Sequence, residues 1–208
     1  MKKLIICTVL GILVAAPCYG DNVQQEAVDS LATAQKLVQD GNYNKAIEEV
    51  NYALAKINEL TAEKLLDFIP EPPAGFTLLN KQAQGVGAAA SIAGSAGATA
   101  QYSHTSGATI DLNIALGGMT GKMGSLAALG SIFAGLGGQQ AGGEQMKQVR
   151  VQGYTGTQMF NGADKSGTLT FQIGDKTSVT FQGEQLESPD NLVELAKTFD
   201  FSGIEKNF

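Results

Sequence analysis

Cysteine is nearly missing from this chain. There are two, Cys7 and Cys18, and both lie in a short apolar stretch at its beginning. Beyond them no thiol is present for a disulfide, a thiolate metal site or a cysteine nucleophile, so the expected fold relies on its core alone. Histidine and arginine occur once each, as His104 and Arg150, and tryptophan does not occur. One histidine is too few for a zinc site or a catalytic triad of the usual kind, and no GxSxG nucleophile turn is present. Basic charge is scarce as well. Lys and Arg number 14 against 20 Asp and Glu, for a formal net charge of −6. That balance argues against partners of nucleic acid or anionic lipid.

Residues 1–20 have the pattern of a secretory leader: Lys2 and Lys3, an apolar run over 4–16, then small residues ending at Gly20. Its removal would start the chain at Asp21 and, with Lys2 and Lys3 gone, take the net charge from −6 to −8. The rival is a lipoprotein acylated at Cys18. It fits less well, because Pro17 and Ala15 stand where a small residue and leucine are wanted. The expected location is periplasmic or extracellular, and the expected product soluble.

The least ambiguous structure lies at 167–183. Leu169, Phe171 and Ile173 alternate with Thr168, Thr170 and Gln172; past Gly174-Asp175-Lys176, Val179 and Phe181 alternate with Ser178, Thr180 and Gln182. Period-two alternation predicts two strands with one buried face, and the Gly-Asp turn joins them as an antiparallel hairpin. A hairpin alone is barely stable, so further strands and a helix must cover it. Candidates for strands are 76–79, 99–103, 109–116, 148–152 and 155–160. Helical spacing returns at 119–136 and again after Ser188-Pro189, where Leu192, Leu195, Ala196 and Phe199 form the buried stripe.

Residues 21–68 read as two helices broken at Asp40-Gly41. The expected buried stripes are Ala27, Leu31, Ala34 and Val38 in the first, and Ala46, Ile47, Val50, Leu54, Ile57 and Leu60 in the second. Residues 69–81 form a proline-rich joint (Pro70, Pro72, Pro73) and a first strand. Residues 82–208 hold the remaining α+β domain, with a Gly/Ala-rich loop expected at 84–98. The whole reads as α+β: an antiparallel sheet with helices mainly on one face, preceded by the helical hairpin.

The stretch 41–57, GNYNKAIEEVNYALAKI, resembles the middle of a tetratricopeptide repeat. No second copy follows, and such arrays need about three repeats for stability, so a single helical hairpin is expected rather than a solenoid. The element order over 71–208, opening on Glu-Pro-Pro-Ala-Gly-Phe, is similar to the PsbP-type α/β fold. That resemblance implies an accessory or assembly role in an exported compartment.

Candidate chemistry is thin. GGMTGK at 117–122 invites a phosphate-loop reading, but Leu116 and Met123 occupy the positions where glycine and Ser or Thr are needed. Asn161, Asp164 and Asp175 put oxygens in turns without the spacing of a calcium loop, and turn chemistry accounts for them. No catalytic residue, cofactor or metal is predicted. The residues singled out for ligand or partner contact are Arg150, Tyr43 and His104, with a structural salt bridge as the default role of Arg150. The leading functional expectation is a non-enzymatic accessory protein that binds another protein through the helical hairpin or the sheet face. The alternatives are a membrane- or self-associating protein using the uncharged small-residue stretches, and a small-ligand carrier or enzyme.

Overall fold

The computed structural model describes residues 19–84, 96–117 and 144–208, excepting the side chains of 19–21 and 144–145. The helix expected at 119–136, most of the loop expected at 84–98 and the leader up to residue 18 lie outside the described residues. Seven strands are described: β1 (Phe76–Gln84), β2 (Ala96–His104), β3 (Thr109–Leu116), β4 (Glu144–Val151), β5 (Tyr154–Asn161), β6 (Ser166–Ile173) and β7 (Thr177–Glu184). They form one sheet in the order β1-β2-β3-β7-β6-β5-β4, and every neighbouring pair is antiparallel. Helices α1 (Tyr19–Gln39) and α2 (Tyr43–Leu65) precede the sheet; α3 (Asp190–Thr198) and α4 (Phe201–Asn207) follow it. The protein is therefore α+β, with its helical part at the N-terminal side.

The alternation of β6 and β7 has the expected result. Leu169, Phe171, Val179 and Phe181 are wholly buried on one face, together with Ile110, Leu112 and Ile114 of β3. Phe171 sits at the centre of a ring cluster, 4.6 Å from Phe201 and 6.3 Å edge-on from Phe181, while Phe199 lies 4.8 Å from Phe201. Gly156 on β5 leaves room for the Phe171 ring, since a Cβ there would come within 2.7–2.9 Å of three ring carbons. Helix α3 starts as its sequence suggests. Ser188 Oγ accepts from the Asp190 amide, and Asn191 Oδ1 accepts from the Ser188 amide, a reciprocal cap. Its far end is closed from the sheet: Gln152, in a two-residue turn with Gly153 (φ 52° and 93°), donates its side-chain amide to the carbonyls of Lys197 and Phe199.

The opposite face of the sheet is polar. One rung crosses all seven strands in register as Gln148, Thr157, Thr170, Thr180, Asn113, Thr99 and Gln82. The described α3 and α4 and the last turn of α2 thus lie on the apolar face.

Four expectations need correction. Of the loop expected at 84–98, residue 84 belongs to β1 and residues 96–98 to β2. Alanines 96, 98 and 100 are buried, and such small side chains give no alternation to read. The first strand was expected to end at 79; a bulge at Leu79 shifts its register midway and breaks its period. The joint is also more deeply built in. Leu65 is fully buried in the sheet core, Leu66, Phe68 and Ile69 pack against it, and Tyr102 donates its hydroxyl to the Pro70 carbonyl at 2.8 Å. Finally, among the described residues Arg150 makes no salt bridge: its Nε donates to the Gly153 carbonyl at 3.3 Å, and its register partner across the sheet is Thr155 rather than a carboxylate.

Candidate protein-binding surface

The helical hairpin is where the side chains depart most from expectation. The turn between the helices is closed by Gly41 at φ 75°, with the amides of Gly41 and Asn42 bonded back to Val38 and Leu37. The two helices then meet through small residues. Val23, Ala27, Ser30 and Ala34 of α1 are buried, as are Ala46 and Ala53 of α2. A seam of alanines lets helices approach too closely to admit large side chains, so the bulky apolar residues expected in it are turned out. Leu31, Val38, Ile47, Val50, Leu54 and Ile57 are all exposed, from 36% for Leu54 to 59% for Ile47, and Val28 and Tyr43 join them.

At 100° per residue, the α1 stripe Val28, Leu31 and Val38 lies a quarter turn from the α1 seam, and the α2 stripe lies a quarter turn from its own. The two offsets have the same sense along each chain direction. Because the helices run in opposite directions, both stripes come to one side of the pair. The contacts on the other side agree with this. There Tyr52 donates to Glu26 at 2.9 Å, Lys56 pairs with Glu26 at 2.9 Å and with Glu59 at 3.5 Å, and Ser30 donates to Glu49 at 2.6 Å. Hydrogen bonds from Lys56 first and Tyr52 second hold the Glu26 carboxyl below the usual glutamate range. The hairpin therefore has a polar, clasped side and an apolar side.

The stripe positions on the apolar side are 24, 28, 31, 35 and 38, then 43, 47, 50, 54, 57 and 61. They hold Gln, Val, Leu, Gln, Val and Tyr, Ile, Val, Leu, Ile, Thr, with no charge among them. Spacing of 3 and 4 residues is the pattern of helices that pack against other helices. Single exposed hydrophobic residues need no explanation, but an uncharged face of this extent does. The last turns of α2 continue into the sheet domain, where Asn58, Ala62 and Leu65 are buried. Its 23 residues extend about 34 Å, so the first turns stand well away from that anchorage.

Of the three residues singled out in the sequence, Tyr43 lies on this face, 64% exposed at the start of α2. His104 ends β2. Its ring lies 5.0 Å from Phe76, and its Nδ1 accepts from the Ser106 amide at 3.1 Å and sits 2.8 Å from the Ser106 hydroxyl. Arg150 lies on β4, at the far edge of the sheet from β1. The structure does not bring the three together. A shallow depression of about 370 Å³ on the polar sheet face is lined by Asn80, Thr99, Gln101, Asp111, Asn113 and Gln182, an amide and hydroxyl set with one carboxylate. Among the described residues no group of three His, Cys, Asp or Glu is placed to hold a metal, and no helix is long and apolar enough to cross a membrane.

The chain matches no protein-family model, no curated protein and no solved structure.

Proposed function

We propose that the protein is an exported, non-enzymatic accessory protein that binds another polypeptide through the apolar face of its α1–α2 hairpin. One observation carries the reading: eight large apolar side chains, spaced for helix packing, lie together on one uncharged side of the hairpin and face solvent. The sheet domain serves as the platform, since among the described residues the last turn of α2 is built into its core through Leu65.

The test is site-specific photocross-linking in the producing cell. A benzoylphenylalanine at Ile47 or Leu31 should give covalent polypeptide adducts, while the same group at Glu48, on the polar side, should give none. Adducts of equal yield from both sides, or none from the apolar side, would overturn the reading. Export rests on the leader pattern at residues 1–20. Helix α1 as described begins at Tyr19, so cleavage after Gly20 trims its first two residues. An intact mass beginning at Asp21 supports this part of the reading, and an acylated Cys18 sinks it.

A further inference from the structure

The polypeptide that fits this face best is one like itself. Resting on the reading above, we propose that the occupant is a second copy of the chain, two hairpins closing face to face into an isologous four-helix bundle. The apolar face has two stripes, not one, and both follow the 3–4 spacing. A lone amphipathic helix laid on it would cover one stripe or straddle both. A second hairpin of the same design presents two stripes at the same separation and covers both at once.

The pattern also suits a two-fold axis. In an antiparallel pairing of α2 with its copy, Ile47 meets Ile57 and Val50 meets Leu54 of the second copy, and Tyr43 meets Thr61. Along α1, where the contacts Ser30–Glu49 and Glu26–Lys56 put residue 52 of α2 level with a point near residue 29, the same operation sets Leu31 against Val28 and Gln35 against Gln24. Each of these opposed positions is uncharged on both sides. Two copies of a chain with net charge −6 repel each other in general. At this face they do not, because Glu26 and Glu59, with Lys56, are gathered on the opposite side of the hairpin. The exposed area of the eight side chains is on the order of 700 Å² per copy, close to the roughly 800 Å² per partner of a stable interface. The antiparallel arrangement further leaves the two sheet domains at opposite ends of the bundle, since each is gripped by the last turns of its own α2.

The experiment is sedimentation equilibrium of the purified chain, unmodified and as Leu54→Glu, Leu54→Ala and Glu48→Arg variants. The unmodified chain should be dimeric at concentrations above about 10 μM. Leu54→Glu should be monomeric throughout, with an unchanged far-ultraviolet circular dichroism spectrum. Leu54→Ala, at a side chain 36% exposed in the lone chain, should weaken association roughly tenfold or more with the circular dichroism spectrum again unchanged. Glu48→Arg should leave association as it was. A monomer at all concentrations, or a dimer indifferent to both Leu54 substitutions, overturns the proposal. The two readings separate cleanly. A monomeric chain whose apolar side still cross-links a different polypeptide in cells overturns self-association and leaves the binding face standing. A monomer with no adduct overturns both.

Discussion

Truncating Phe171 to alanine removes the ring on which the core of the sheet domain is centred. The side chain is fully buried and touches Phe181 and Phe201 as well as the bare backbone of Gly156. Loss of a buried phenylalanine costs about 3–5 kcal/mol through transfer and cavity together. Two broken ring pairs of about 0.5–1.5 kcal/mol each place this site in the upper part of that range. A domain with roughly 5–15 kcal/mol of stability would lose a large share of it. Urea unfolding followed by circular dichroism should therefore show a strongly lowered midpoint. Thr170→Ala, one residue along on the polar face, breaks only a 3.4 Å hydroxyl contact with Thr180 and should cost under about 1 kcal/mol. A second arm isolates the packing itself. Gly156→Ala pushes a methyl into the ring and should cost about 1–3 kcal/mol in the unmodified chain. In the Phe171→Ala background that cost should vanish, a coupling of similar size. Equal losses from Phe171→Ala and Thr170→Ala, or strict additivity of Gly156→Ala with Phe171→Ala, would refute the assignment of faces.

Two further expectations concern titration. Burial first, and the nearby charge of Glu71 second, push the Tyr102 hydroxyl well above the ordinary tyrosine range. Its stabilising contribution is therefore complete below the unfolded value of about 10 and is lost as pH rises beyond it. Tyr102→Phe should cost about 1–2 kcal/mol at neutral pH by stranding the buried Pro70 carbonyl, and should flatten the alkaline limb of the unfolding curve; an unchanged limb would refute the role of this hydroxyl. The Glu26 carboxyl is lowered, so its contribution is present above the ordinary glutamate value and fades as pH falls through the lower folded one. Protonation should loosen the clasp with Lys56 and Tyr52, lowering the thermal midpoint of the helical signal between about pH 5 and pH 3 in the unmodified chain but not in Glu26→Gln. The effect should be small, since the pair is exposed.

The parts of the fold that were legible are those where a side chain's size and its position agree. In β3, β6 and β7 the inward residues are large and apolar except Gly167, Thr177 and Gly183 at the strand ends, and the outward ones are polar except Ala115, so period two is visible and the faces follow. Helix α3 announced itself through Ser188, Pro189 and a leucine stripe for the same reason. The hairpin defeated that logic. Hydropathy marked Ile47, Val50, Leu54 and Ile57 as the buried stripe, yet the seam belongs to Ala46 and Ala53. An amphipathic helix with two apolar sides, one of small residues and one of large, looks the same in sequence whichever side is covered. The signal that separates them was present as alanines seven residues apart, at 27 and 34 and again at 46 and 53. Tyr43 stands out in the sequence as a contact residue and lies on the proposed surface, while its neighbours there read as interior. Strand β1 reads short because its bulge and its edge position leave no repeating period. Sequence spacing offers Arg150 a carboxylate partner because it does not reveal that Thr155 is the residue facing it.

The strand order has a consequence for time rather than for energy. Of the six pairings in the sheet, five join strands that follow one another along the chain; only β3 and β7 meet from afar, Thr109 opposite Glu184 and Leu116 opposite Thr177. Two meanders, β1-β2-β3 and β4-β5-β6-β7, can each zip locally at little entropic cost. Neither is a finished object, since the central core residues Leu112 and Phe181 face each other only once that distant pair has closed. The slow event in the life of this chain is therefore the joining of two halves that already know their own order. Until it happens, each half presents an unsatisfied central strand instead of a natural edge, and the newly made protein is at its most adhesive at the middle of its future sheet.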